Sequence, residues 1–60
     1  MTTYAIYFTW NDGFEDVIEE KGAKARDISI KEMLNRKEFK AISYRAKYKN
    51  GEYGRTVSIM

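Results

Sequence analysis

Residues 41–60 read AISYRAKYKNGEYGRTVSIM, and this stretch decides the fold class. On either side of Asn50-Gly51 large apolar and polar side chains alternate, which is the period of a strand with one covered face. Asn-Gly is the dipeptide that best tolerates the two positive φ angles of a type I′ turn. The spacing therefore predicts a two-stranded hairpin. Pairing outward from a two-residue turn sets Lys49 against Glu52, Tyr48 against Tyr53, Ala46 against Arg55, Tyr44 against Val57 and Ile42 against Ile59. One face is then aromatic and aliphatic, while the other carries Ser43, Arg45, Lys47, Thr56 and Ser58, as suits an antiparallel sheet covered on one side.

A second hairpin is legible upstream. Thr3 to Trp10 is rich in β-branched and aromatic residues, and Tyr4, Ile6, Phe8 and Trp10 fall on one face of a strand. Asn11-Asp12-Gly13 suits a three-residue loop with Gly13 in the left-handed region. That loop sets Trp10 opposite Phe14, Phe8 opposite Asp16, Ile6 opposite Ile18 and Tyr4 opposite Glu20, which keeps nearly every large apolar group on one side and leaves Asp16 as a charge on the apolar face. From Gly22 the period lengthens. Ala23, Ile30, Met33 and Leu34 share a helical stripe, with Ala25 and Ile28 pointing away, so a helix is expected over 23–36. A later start competes with it, because Ser29 and Glu32 have capping-box spacing with Ile28 and Met33 at the staple positions. In the longer helix Ile28 is an exposed apolar residue in want of a partner.

Two hairpins joined by a helix make an α+β chain of order ββαββ, with the helix laid across one face of a four-stranded sheet. The order 2-1-4-3, with the first and last strands paired in parallel at the centre, meets the right-handed crossover preference. In length and element order the chain resembles immunoglobulin-binding domains of the protein G type, a likeness of architecture that implies no function.

Sixty residues form a single domain with a thin core. Eleven basic and nine acidic side chains nearly cancel, so overall charge selects neither nucleic acid nor a membrane surface. Met1-Thr2-Thr3-Tyr4 does not begin a signal peptide, and no uncharged run approaches the length of a membrane span, so a cytoplasmic protein is expected. With neither histidine nor cysteine, the chain lacks the means for a usual structural zinc site, a thiol nucleophile or a serine-histidine pair. No phosphate-binding glycine loop is present. Asp12, Glu15, Asp16, Glu19 and Glu20 cluster, but they read as a solvated edge, and Asn11, Asp12 and Asp16 lack the further ligands of a calcium loop. No enzyme, metal or cofactor is therefore expected, the weakest alternative being catalysis through Asp16 or Asp27.

The candidate binding residues are Tyr7, Ile28, Arg45, Lys47, Lys49, Tyr53 and Arg55. Arg45, Lys47 and Lys49 recur at every second position and line the outer face of the second hairpin, where Tyr7 and Val17 join them. Arg55 falls on the apolar face, where its stem can lie on Tyr48 or Tyr53 with its head in water or on an anionic partner. Aromatic content of 15% and free strand edges favour a small non-catalytic protein-binding module. A nucleic-acid-binding module using the basic outer face is the alternative. Phe8-Thr9-Trp10-Asn11-Asp12-Gly13, Ala25-Arg26-Asp27 and Asn50-Gly51-Glu52-Tyr53-Gly54 resemble, in style, small proteins encoded by bacteriophages and mobile elements that inhibit host defence. That resemblance implies a host protein as target and the host cytoplasm as location. Unpaired edges and a thin core also lead to the expectation of a homodimer.

Overall fold

Thr3–Trp10 is the strand best suited to the centre of a sheet, because Ile6 and Phe8 on one face and the small Ala5 on the other can all be covered. The computed structural model, which describes residues 1–60, buries all three. It consists of β1 (Thr3–Trp10), β2 (Glu15–Lys21), α1 (Ala23–Arg36), β3 (Phe39–Lys47) and β4 (Val57–Ser58). The fold is α+β, with one helix on one face of a four-stranded sheet. No helix is long and apolar enough to cross a membrane.

Strand order departs from the expected 2-1-4-3. It is β2-β1-β3-β4, and every neighbouring pair is antiparallel. Nine-residue β3 can pair along the whole of β1, whereas two-residue β4 cannot. Each central position buries a strand on both sides, so the long strand takes it and β4 is left at the edge. The likeness to protein G-type domains therefore stops at element order.

The first hairpin keeps the expected register, with Tyr4 opposite Glu20, Ile6 opposite Ile18 and Phe8 opposite Asp16. Asp16 is exposed at the sheet margin, and its Oδ1 accepts the Val17 N–H at 2.8 Å. The second hairpin repeats the loop of the first rather than forming a two-residue turn. In one, Gly13 N–H donates to Trp10 O, Trp10 N–H to Phe14 O and Phe14 N–H to Asp12 Oδ1. In the other, Gly51 N–H donates to Tyr48 O, Tyr48 N–H to Glu52 O and Glu52 N–H to Asn50 Oδ1. Only the glycines are left-handed, at φ +94 and +87°. A type I′ turn would also require positive φ at Asn50, whereas this loop confines it to Gly51 and lets the Asn50 side chain satisfy a backbone donor.

That extra loop residue shifts the pairing. Tyr53 stands opposite Lys47 instead of Tyr48, and Gly54 N–H donates to Ala46 O. The expected register returns at Tyr44 opposite Val57, with Ile59 N–H bonded to Ile42 O. Between these points Arg55 and Thr56 together oppose Arg45, which is a bulge on the β4 side. One slip reverses a side chain's face. Tyr53 consequently leaves the helix side for the outer face, and Arg55 is exposed in the bulge rather than set against Ala46.

The core comprises Ile6, Phe8, Ile30, Met33, Phe39 and Ile42, with Trp10, Ile18 and Tyr44 packed against it. The helix starts at Ala23, which excludes the later start. Its docked stripe is rotated from the expected one: Ile30 and Met33 are buried, but Ala23 and Leu34 are exposed. Arg26 fills the place left by that rotation. Its guanidinium lies 4.6 Å from the Tyr4 ring centroid and 4.4 Å from that of Tyr44, and it bonds Asp27 at 2.9 Å. That bond raises the Arg26 pKa further, ahead of the opposing effect of desolvation. Ser29 donates to Glu20 on β2, fixing the other flank of the helix.

Candidate functional site

The helix covers one face of the sheet and nothing covers the other. Strand alternation sends Ala5, Tyr7 and Thr9 of β1, Val17 and Glu19 of β2, and Ala41, Ser43, Arg45 and Lys47 of β3 to this outer face. Small side chains at Ala5, Thr9, Ala41 and Ser43 keep much of it low, so the larger groups stand in relief.

The most ordered of these groups is a three-residue cluster. Arg45 donates from Nε and Nη2 to Tyr7 Oη at 3.0 and 2.9 Å. Its guanidinium lies 3.8 Å from the Tyr53 ring centroid, within cation–π range. Nη1 makes no hydrogen bond within the chain. Two strands and the segment leading into β4 hold the cluster: Tyr7 comes from β1, Arg45 from β3, and Tyr53 from the stretch before the bulge, which the extra loop residue turns outward. Beside it, Lys47 Nζ bonds Glu19 Oε2 at 2.7 Å across β1. This bond, followed by the Glu19 charge, raises the Lys47 pKa above the ordinary lysine value.

Next to Tyr7 lies a shallow depression of about 180 Å³, with Thr9, Ala41 and Ser43 among its lining residues and Glu15 and Asp16 at its β2 side. It can receive one partner side chain beside the tyrosine.

The structure thus brings together Tyr7, Arg45, Lys47 and Tyr53 among the residues singled out from sequence. Lys49 is exposed in the hairpin loop beyond Lys47, and Arg55 is exposed in the bulge. Ile28 is separate, 53% exposed on the helix in the other layer. Glu19 was missed as a member of the outer surface, although parity with Val17 places it there and opposite Ala5. Comparison with protein-family models, curated proteins and solved structures finds no match.

Proposed function

We propose that this chain is a small non-catalytic protein-binding module whose contact surface is the bare outer face of the sheet. The observation that carries the reading is the Tyr7–Arg45–Tyr53 cluster, held ready by hydrogen bonds and stacking in the middle of an uncovered face. Tyrosine and arginine are the favoured anchors of protein interfaces, and side chains already fixed lose little entropy on binding. Arg45 Nη1 offers a donor to a partner carboxylate or carbonyl, and the depression beside Tyr7 offers a seat for a neighbouring side chain. The non-catalytic part of the reading rests on the absence of histidine and cysteine. Such a module acts by occlusion, which suits an inhibitor of a larger protein, a host defence protein being the proposed target.

Nucleic-acid binding is the second reading, favoured by the alternation of Arg45, Lys47 and Lys49 beside tyrosine rings. Lys47 is already paired with the Glu19 carboxylate and Arg45 is held by Tyr7 through Nε and Nη2, so a phosphate would meet one whole free cation, Lys49, and a single open donor, Arg45 Nη1. This geometry ranks it second.

The two readings separate in one experiment. Tagged wild type, Arg45→Glu and Tyr53→Ala are used to capture proteins from lysate, and each is mixed with labelled single-stranded DNA and RNA at low salt. A protein retained by wild type and lost by both variants supports the first reading; loss of an anchor of this type costs about 2 kcal/mol, roughly 30-fold in affinity. Identical captures from all three overturn it. A shift of the labelled strands that falls steeply with salt selects the second.

A further inference from the structure

The sheet has two edges, and they are defended very differently. β2 carries Glu15, Asp16, Glu19 and Glu20 within seven residues, and the Asp16 carboxylate caps the Val17 N–H, which antiparallel alternation directs toward the free edge. Charge and capping of this kind block pairing with another strand. At the opposite edge, residues 56–60 read TVSIM, with neither charge nor proline. Val57 pairs with Tyr44, the Ile59 N–H donates to Ile42 O and the Ile42 N–H donates to Met60 O, so by strand alternation Ser58 directs its N–H and C=O away from the sheet. The Thr56 N–H makes no hydrogen bond within the chain.

A second observation falls on the same border. The helix backbone runs close over β1, β2 and β3 but not over β4. Val57 and Ile59 lie on the helix side of the sheet yet remain 38% and 39% exposed. Leu34 is exposed as well, and it lies about 140° around the helix from Ser29, which is bonded to β2, so it borders the β3–β4 side. Unpaired backbone and uncovered apolar surface thus adjoin.

We propose that this edge binds a second copy of the chain, β4 against β4 in antiparallel fashion about a two-fold axis at Ser58. Ser58 then exchanges both backbone hydrogen bonds with Ser58 of the second copy, and Val57 lies beside Ile59 of that copy on the helix side. Two four-stranded sheets become one of eight strands. A second copy fits because the stretch is uncharged and no like charges meet across the axis, whereas symmetric pairing at β2 would bring carboxylates together. The bulge at Arg55–Thr56 limits the paired length, so the association is expected to depend on concentration. This surface is separate from the Tyr7–Arg45–Tyr53 face.

Sedimentation at about 100 µM, a concentration set by micromolar affinity, together with thiol cross-linking tests the proposal. The chain has no cysteine, so Ser58→Cys introduces a single thiol. Hydrogen-bonded antiparallel partners have Cα atoms about 5.5 Å apart, within disulfide range. Wild type is expected to sediment as a dimer, and Ser58→Cys to give a covalent dimer at least tenfold faster than Val17→Cys on the other edge. Ser58→Pro, which removes only an outward N–H, is expected to be monomeric; Thr56→Lys gives the same result should the proline variant not fold. Arg45→Glu should stay dimeric, which keeps this outcome independent of the outer-face reading. A monomeric wild type overturns the proposal, as does a dimer whose Ser58→Cys cross-links no faster than Val17→Cys.

Discussion

Arg26 shows how a charged residue can serve as part of a core. Its stem and guanidinium cover Tyr4 and Tyr44, whose rings meet edge to face with centroids 5.9 Å apart, while Asp27 balances the charge. Arg26→Ala removes two cation–π contacts and the packing of the stem, and is expected to lower stability by about 1–3 kcal/mol in urea unfolding. Arg26→Lys keeps the charge but loses the planar stack, so its loss should be smaller yet measurable. Lys47 provides a test by pH. Because its folded pKa is raised, the stabilisation it gains from Glu19 is complete below the unfolded lysine value and is lost as pH rises through the higher folded value. In an NMR titration Lys47 should deprotonate above the ordinary lysine value, and Glu19→Gln should lower its midpoint.

At the level of elements, the two hairpins use the same loop, with an Asx side chain capping the residue after a left-handed glycine. Gly13 and Gly51 have open space where a Cβ would stand, so the cost of substitution is conformational and not steric. Gly13→Ala and Gly51→Ala are each expected to lose about 1–2 kcal/mol in thermal or urea unfolding. Equal losses would confirm the shared design. The helix depends on its partners for position. Its first turn contains no acidic residue and Gly22 supplies no side-chain cap, so docking through Arg26, Ile30 and Met33 determines its rotation. Periodicity identified the helix but chose Ala23 and Leu34 for its buried stripe, because hydropathy ranks an arginine last for a place that aromatic rings reserve for it.

For the molecule as a whole, cover is uneven: β1 and β3 are central, and β4 has sheet on one side only and no helix above it. Amide exchange should follow that gradient, with Ile6 and Ser43, whose amides face other central or flanking strands rather than β4, exchanging near the global unfolding limit and Val57 and Ile59 far sooner at high dilution. Equal protection at all four positions would contradict the described packing. Tyr7, Arg45 and Lys47 were legible as one surface because strand parity is local, and parity also contains Glu19. Tyr53 was assigned to the wrong face because one added loop residue reverses every side chain until a bulge restores the register. The sequence by itself determined the α+β class, the element order, the first hairpin's register and the outward basic groups, since each follows from contacts between near neighbours along the chain, whereas the choice between a helix start at Ala23 and one at Ser29 was left to the structure. Strand order, the rotation of the helix and the joining of Tyr53 to Arg45 were decided only by the tertiary structure. They depend on which segments compete for the two sides of β1, and that competition is settled by burial between residues far apart in sequence.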